Sequence, residues 1–495
     1  MTTYKRPTVT EAEIQAVLSA TYREKWNDGV QRKIDADIEK NRKADGLFRL
    51  PQDAAGRSVR VEQVSSDFIY GAHIFNYNQL GDPESNRRYR ELYGELFNSA
   101  TIAFYWKTLE PVEGHPRFET SYCDTEEFWN QCKDPKSQPH WRRPSTDMVV
   151  EFCRSKGIRL HGHTLVWGNN TWQYPDWLIN KIPFDYLAKA KLERGVYGRL
   201  PGGYAGEPFR DMTAEEMADA LPTFTDQLHS IFFRHVSEIL LRYGTKISSW
   251  DVVNESATDF EHGVMVPGSR LCKSWYGPMP GDYTYRFFKI AESLLPASSK
   301  LNINDYNLSP AYNAQVKDLI ERGCKVDIVG TQMHLFNPQE CKDIADGKDS
   351  HLDPDRVWSL YERLGQTNRP IHLSEITITS PGEGLQGEII QAAILRNMYR
   401  IWFSLKPMMG ITWWNVVDDC GAPGEPSISG IFKRNMEPKL AYFAMKDLIC
   451  KEWRTNLTVE ADSDGQIGFR GFRGDYRLSW TTADGVEQSE TVHLS

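Results

Sequence analysis

Eight short apolar runs separated by amphipathic stretches constrain the fold of this chain more than any other feature. The runs begin at residues 68, 99, 159, 247, 300, 326, 370 and 410. Each is followed by a loop and an amphipathic stretch of about 10 to 20 residues. Such alternation predicts parallel strands covered by helices, and eight units predict a closed (β/α)8 TIM barrel of the α/β class. The alternative, an open doubly wound sheet, would need a glycine-rich phosphate loop after its first strand, and none is present.

The amphipathic stretches predict one helix after each strand. We expect these helices near residues 84–96, 144–156, 213–243, 283–295, 310–322, 354–365, 385–404 and 438–450.

Both ends of the barrel carry further segments. Residues 11–43 predict a charged helix, and the runs at 47–50 and 58–64 predict a β-hairpin. After residue 452, four runs of alternating apolar and polar residues predict a small β unit. We expect it to pack with the hairpin, because neither has enough strands to be stable alone. The expected organisation is an N-terminal extension over 1–66, a catalytic barrel over 67–451 and a C-terminal β-strand extension over 452–495.

Composition limits the class of protein and of partner. The 495 residues are 40% hydrophobic and 25% charged, with a mean hydropathy of -0.54, which argues against disordered, collagen-like and membrane-spanning proteins. The 58 basic and 67 acidic residues give a net charge of -9, so neither nucleic acid nor a membrane is expected as a partner. The many aromatic residues, 15 Trp, 22 Tyr and 22 Phe, suit sugar stacking as well as a large core.

The cysteines and the N-terminus bear on the cellular compartment. The eight cysteines are widely spaced without a CxxC pair, which predicts reduced thiols, with a local Cys123–Cys132 bond as the alternative. The N-terminal residues lack the apolar stretch of a secretory signal. We therefore expect a cytoplasmic protein, or a secreted one if a signal has been removed. The sequence leaves the oligomeric state open.

Polar side chains end six of the eight predicted strands, where TIM-barrel enzymes place their active sites. Carboxylates, amides and imidazoles are costly to bury unless they converge on a shared site. Their spread over six strands therefore predicts an active site. The set comprises His161, His163, Trp167, Asn254, Glu255, Asn304, Asp305, Tyr306, Gln332, His334, Glu375, Trp413, Trp414, Asp418 and Asp419.

Two carboxylates of this set, Glu255 and Glu375, end the fourth and seventh strands, so we expect them to face each other across the barrel mouth. Retaining glycoside hydrolysis uses such a pair, one residue attacking the anomeric carbon and the other donating a proton to the leaving oxygen. The expected separation is about 5 to 5.5 Å for retention and roughly 6.5 to 9.5 Å for inversion.

The neighbours of the two glutamates fit this chemistry. Asn254 would offer an amide to a sugar 2-hydroxyl, and Gln332 and His334 lie close enough along the sixth strand to orient Glu375. Sugar rings would stack on tryptophans at the strand ends and in the loop beyond the third strand. These are Trp167, Trp413, Trp414, Trp172 and Trp177.

Two rival hypotheses belong to other function classes. His161 and His163 form an HxH pattern that could begin a metal site completed by His334 and Asp418. Metallohydrolases usually carry that pattern on the first barrel strand, so the signal is weak. The other rival is a carbohydrate-binding protein without turnover. The presence of both glutamates argues against it, because binding alone needs no acid and nucleophile pair.

Seven motifs, in order between about residues 68 and 450, resemble glycoside hydrolase family 10, the endo-β-1,4-xylanase type. They are GHTLVW at 162–167 with PDW at 175–177, WDVVNE at 250–255, NDYN at 304–307, VGTQMH at 329–334, SEITI at 374–378, GITWW at 410–414 and PKLAY at 438–442.

The resemblance implies a retaining hydrolase with Glu255 as acid/base and Glu375 as nucleophile. It implies a β-linked polysaccharide or oligosaccharide as partner, xylan by default, and neither a metal nor an organic cofactor. The residues expected to bind substrate are Asn254, His163, Trp167, Gln332, His334, Trp414, Tyr306 and Lys107.

The chain also departs from the family pattern. After the second strand the family has a Glu-Asn pair and a Lys-Trp pair, whereas this chain reads FNSATIAFYWKTLEP and is shorter, with Lys107 as a candidate substitute. Gly168, Thr377 and Ala422 stand where the family has His, Asp and Trp. An additional segment over 178–212 follows the third strand. These departures keep open another β-linked glycan, or a glycoside with a non-sugar aglycone.

Overall fold

The computed structural model describes residues 4–169, 172–181, 219, 221–261 and 282–495. Its strands are β1 Lys43–Arg49, β2 Ser58–Gln63, β3 Ile69–His73, β4 Ser99–Ala103, β5 Arg159–Trp167, β6 Ser249–Asn254, β7 Lys300–Asp305, β8 Ile328–Leu335, β9 Ile371–Ile378, β10 Met408–Trp413, β11 Asn456–Glu460, β12 Gln466–Phe472, β13 Gly474–Thr481 and β14 Glu487–Leu494.

Strands β3 to β10 form a closed parallel barrel in which β10 pairs back onto β3. Each predicted apolar run provides one barrel strand, so the predicted TIM barrel is confirmed. Parallel strands covered on both faces need apolar side chains on both faces, and all eight residues of β9 are buried. Close packing inside the barrel also explains Gly162, because a Cβ atom there would collide with the ring of Trp250.

The helices surround the barrel and follow the strands as expected. They are α1 Glu11–Val17, α2 Ala20–Lys25, α3 Asp28–Arg42, α4 Pro83–Glu95, α5 Trp106–Leu109, α6 Glu126–Gln131, α7 Thr146–Ser155, α8 Asp176–Ile179, α9 Pro222–Tyr243, α10 Ala257–Glu261, α11 Tyr283–Leu294, α12 Pro310–Glu321, α13 Pro338–Ala345, α14 Pro354–Gly365, α15 Leu385–Ser404 and α16 Leu440–Asp447, the last followed by a π-helical turn, Leu448–Glu452. The start of the helix expected at 213–243 lies outside the described residues.

The single helix expected over 11–43 is three helices, α1 to α3. The side chain of Ser19 accepts from the backbone N–H of Tyr22. The side chain of Asn27 accepts from the backbone N–H groups of Gly29 and Val30. Each cap satisfies backbone donors at the start of a new helix, so the segment is divided at these two residues.

The two extensions form a shared β unit, as predicted. Strand β2 lies between β11 and β13 in a four-stranded sheet that ends with β14, and β1 pairs with β12. The predicted hairpin is wrong, because β1 and β2 pair with C-terminal strands and not with each other. These partners complete a small core in which Val59 and Val61 are fully buried beside Tyr476 and Leu478.

Two further expectations concern thiols and membranes. Cys123 and Cys132 are free, which excludes the local bond, and Cys272 lies outside the described residues. Within the described ranges, no helix is both long and apolar enough to cross a membrane.

Candidate active site

Glu255 directly follows β6 and has a φ of 57°, a left-handed conformation that is uncommon for a residue with a side chain. Its backbone N–H donates to the carbonyl oxygen of Asn304 on β7 at 2.7 Å, which holds this conformation. The indole N–H of Trp167 donates to Glu255 Oε2 at 2.9 Å, and Gln332 Nε2 donates to Oε1 at 3.2 Å. Side chains from β5 and β8 therefore hold both carboxylate oxygens.

Burial raises the pKa of Glu255 to about 8, and the negative charges of Glu375 and Asp305 contribute to the rise. The hydrogen bonds from Gln332 and Trp167 oppose it only in part. A carboxyl group with this pKa keeps its proton near neutral pH. Glu255 is thus suited to donate a proton.

Glu375 lies on β9 and is only 5% exposed. Asn304 Nδ2 donates to its Oε1 at 2.8 Å, and His334 Nε2 lies 3.3 Å from its Oε2. On the other side, His163 Nε2 lies 3.8 Å from Oε1. The other nitrogen of His334 contacts Thr377 Oγ1 at 3.0 Å, so the residue that replaces the family Asp holds this imidazole in place.

A chain of amides connects the two glutamates. Gln332 Nε2 donates to Glu255 and, at 3.2 Å, to Asn254 Oδ1. Asn304 Nδ2 donates to the same Asn254 oxygen at 2.9 Å and to Glu375. Because the side-chain oxygen of Asn254 accepts both bonds, the NH2 group of Asn254 can donate to a ligand.

Two histidines of β5 share one buried carboxylate. Asp251 Oδ2 lies 2.8 Å from His163 Nδ1 and 2.9 Å from His161 Nε2. Burial alone would raise the pKa of Asp251, but the two imidazoles outweigh it and hold the pKa below its usual range. Burial also opposes the charge of His163, yet Glu375 and Asp251 raise its pKa. The two carboxylates therefore favour the protonated form of the His163 imidazole beside Glu375.

The metal site of the first rival hypothesis is not assembled. His161 and His163 are engaged by Asp251, and His334 by Glu375. Asp418 accepts instead from the Lys439 ammonium at 3.1 Å. Among the described residues, the groups with metal-ligand geometry lie elsewhere, at Cys123, Asp124 and His140 and at Glu340, Asp349 and His351.

Aromatic rings pack on the β3–β5 side of the glutamates. Trp167 and Trp414 form a cluster with Phe75 and Tyr105, and the Trp414 ring meets His163 edge-on at 5.5 Å. Trp413 is fully buried, so the expectation that it stacks on a sugar is wrong. Successive side chains of a strand point to opposite faces, which turns Trp413 away from the barrel interior.

The two tryptophans expected in the loop beyond the third barrel strand, Trp172 and Trp177, have different surroundings. Trp172 packs against the aromatic cluster and is partly exposed. Trp177 donates its indole N–H to the Glu110 carbonyl oxygen at 2.8 Å and meets Trp106 edge-on. Trp177 therefore joins α8 to the segment after β4.

The last two candidate substrate-binding residues are Lys107 and Tyr306. Lys107 Nζ donates to Asp176 Oδ1 at 2.7 Å, which ties α5 to α8. Tyr306 follows β7 and is 52% exposed. The structure brings together the other eight predicted site residues, Glu255, Glu375, Asn254, His163, Trp167, Gln332, His334 and Trp414. Residues 182–212 of the additional segment lie outside the described residues.

The sequence predicted Asn304 without its role and gave no signal for three residues on or near the aromatic side, Tyr105, Phe75 and Arg143. Asn304 was visible as a polar strand end, but its position between Asn254 and Glu375 was not. Tyr105 and Phe75 lie within or beside apolar runs, which carry no signal separating a cleft ring from a core ring. Arg143 lies in a loop, and loops lack the regular residue periodicity from which the contacts of a side chain could be predicted.

Comparison with known proteins identifies the family of the chain. The model of glycosyl hydrolase family 10 matches residues 65–448. Endo-1,4-beta-xylanase A of Thermoanaerobacterium saccharolyticum is 22% identical over 423 residues, 81% of this chain, and the chain spans only 32% of its length. Endo-1,4-beta-xylanase B of Thermotoga neapolitana is 25% identical over 389 residues, covering 76% of this chain and 86% of that protein.

Solved structures support the fold. Xylanase 10B from Thermotoga petrophila RKU-1, in complex with xylobiose, superposes with a TM-score of 0.52 at 21% identity. The match covers 78% of this chain and 95% of that one. The family match spans most of the chain and contains both glutamates and the amides between them. The protein therefore belongs to glycosyl hydrolase family 10.

Proposed function

We propose that the protein is a retaining glycoside hydrolase that cleaves the β-1,4 bonds of xylan or xylo-oligosaccharides. The observation that carries the proposal is the difference between two carboxyl groups of one network. Glu255 has a pKa of about 8 and keeps its proton. Glu375 accepts from Asn304 and faces the imidazole of His334, contacts that stabilise a carboxylate. One acid and one nucleophile are the requirement of double displacement.

In the first step, Glu375 attacks the anomeric carbon while Glu255 gives its proton to the departing glycosidic oxygen. The sugar is then bound to Glu375 as an ester. In the second step, Glu255, now a carboxylate, takes a proton from water as that water attacks the anomeric carbon. The Glu375 bond breaks, and two inversions leave the configuration unchanged.

Neighbouring side chains keep the two glutamates in position. Asn304 and His334 orient Glu375, and Gln332 and the Trp167 indole orient Glu255. The NH2 group of Asn254 is available for the sugar 2-hydroxyl, a contact that strengthens in the transition state of such reactions.

Xylan is the default substrate because the relatives named above are xylanases. Another β-linked glycan is the second candidate, and the changed positions favour it. Where the family has a Trp, Ala422 stands in a loop and its backbone N–H donates to Glu425. Gly168, likewise, has no side chain with which to hold a sugar.

The test is to incubate the protein with xylan, other β-linked glucans and mannans, and aryl β-glycosides, and to identify the products. We expect xylo-oligosaccharides, and NMR of the first product should show a β-anomeric signal before mutarotation. A first product with the α configuration would contradict the mechanism. Activity confined to another glycan would replace xylan as the substrate.

A further inference from the structure

Arg143 places a positive charge beside the candidate active site. It lies on the catalytic face of the barrel, in the long segment between β4 and α7. Its guanidinium carbon is 3.8 Å from the centre of the Tyr105 ring and 5.1 Å from that of Phe75. The Tyr105 ring is in turn 5.6 Å from the ring of His163 and 5.7 Å from that of Trp167. One aromatic ring therefore separates Arg143 from side chains that contact the two glutamates.

Among the described residues Arg143 forms no salt bridge, although the negative charge of nearby Glu425 acts on it and favours its charged form. Its guanidinium donates to the carbonyl oxygen of Arg142 at 2.8 Å. The adjacent Arg142, by contrast, lies 3.6 Å from a Glu425 oxygen and donates to Asn415. The two arginines thus differ: the buried Arg142 forms a salt bridge with Glu425, whereas the partly exposed Arg143 forms none among the described residues.

The surroundings of Arg143 make its charge costly without a ligand. Burial among the rings lowers its pKa to about 10. A partly dehydrated guanidinium gains free energy when it meets an anion, and its fork of N–H groups fits a carboxylate with two parallel hydrogen bonds.

We propose that Arg143 binds the carboxylate of a uronic acid carried by the substrate, on the β3–β4 side of the cleft. This inference rests on the proposed glycosidase function and narrows its substrate class to acidic glycans. A purely structural arginine, packed on Tyr105 by cation–π attraction, would stabilise the loop equally for charged and neutral substrates.

The experiment compares two substrates that differ only at the carboxyl group. One is a xylo-oligosaccharide with a glucuronic acid branch, and the other is the same compound with the carboxyl reduced to an alcohol. We expect kcat/KM of the parent enzyme to favour the acid by about 10- to 100-fold, the range of a charged hydrogen bond, and the preference to shrink in high salt. Equal values of kcat/KM would overturn the proposal.

Variants assign the preference to the residue. Arg143→Met should bring the acid-to-alcohol ratio of kcat/KM close to one, and Arg143→Lys should keep part of it because the charge remains. Arg356→Met, at an exposed position of α14, is the matched control and should keep the full ratio. A full ratio in Arg143→Met would overturn the proposal. If Arg143→Met does not fold, Arg143→Lys provides the test. An undiminished acid-to-alcohol ratio of kcat/KM in Arg143→Lys would contradict a bidentate contact.

Binding separates this inference from the proposed function. Calorimetry with Glu375→Gln measures the affinity for both oligosaccharides, and for a sulfated one, without turnover. An acid preference that needs Arg143, in a protein that hydrolyses no glycan, would support this inference and refute the proposed function. Hydrolysis of xylan without any acid preference would support the proposed function and refute this inference. Preference for the sulfated compound would overturn the uronic acid assignment.

Discussion

The two sides of the cleft are built from different chemistry. On β6 to β9, carboxylates and amides hydrogen-bond to each other from Glu255 through Asn304 to Glu375. After β4, the other side has the aromatic ring of Tyr105 and, in the following loop, Arg143, whose guanidinium lies over that ring. The first side follows the family pattern and the second departs from it. In the proposed mechanism, residues at strand ends carry out bond cleavage, whereas the proposed uronic acid contact lies in a loop, where side chains change independently of the strands.

The largest effect is expected on the β6–β9 side, from loss of the proposed nucleophile. Glu375→Ala should lower kcat on the order of 10⁴-fold or more, because no covalent intermediate can form. Azide, a small external nucleophile, should restore turnover of an activated aryl glycoside and give a product of inverted configuration. Glu362→Ala on α14 is the control. Parent-level hydrolysis by Glu375→Ala would end the assignment.

Loss of the proposed acid should depend on the leaving group. Glu255→Gln should slow hydrolysis of xylo-oligosaccharides by about 10² to 10⁴-fold, the usual contribution of general acid catalysis. An activated aryl glycoside leaves without a proton, so its first step should be much less affected. Comparing kcat/KM on the two substrates checks this. Equal losses would show that Glu255 is not the general acid.

The pH dependence should report the same group. Because the pKa of Glu255 is raised to about 8, the residue holds its proton below that pH and loses it above. We expect kcat/KM on xylo-oligosaccharides to fall about tenfold per pH unit on the basic side. Hydrolysis of an activated aryl glycoside by Glu255→Gln should lack this basic limb. A limb that survives the substitution belongs to another group.

Asn304 is expected to be a positioning residue. Asn304→Ala removes the hydrogen bond to Glu375 and should lower kcat by about 10- to 100-fold with a smaller change in KM. Asn313→Ala, which removes a buried asparagine bonded to the Arg363 carbonyl, is the matched control for stability. Loss of kcat in both variants in proportion to their Tm would reduce the role of Asn304 to folding.

The smallest effect is expected from Lys107, on the β3–β4 side. Its partner Asp176 is 64% exposed, and ion pairs with exposed groups contribute about 0 to 1 kcal/mol. Lys107→Met should therefore change kcat/KM by less than about threefold. A tenfold rise in KM would show that Lys107 leaves Asp176 to bind substrate. Lys107 would then substitute for the lysine of the family pattern.

Local patterns predicted the barrel because they report burial. A parallel strand that is covered on both faces needs a continuous apolar run. The polar residue that follows the run marks the carboxyl end of the strand. The runs at 68 and 370 became β3 and β9 for this reason. The hairpin failed because the runs at 47–50 and 58–64 record only that each segment is a strand. The strands that pair with these two segments lie about 400 positions away, near the C-terminus.

The sequence by itself therefore determined the (β/α)8 barrel, the family and the two glutamates, since these depend on periodicity and on residue types at strand ends. The tertiary structure decided which charges are matched. It paired Lys107 with Asp176, engaged the HxH histidines with Asp251 and left Arg143 over Tyr105. Such contacts join loops distant along the chain, and their energies depend on distance and burial, which no local pattern records.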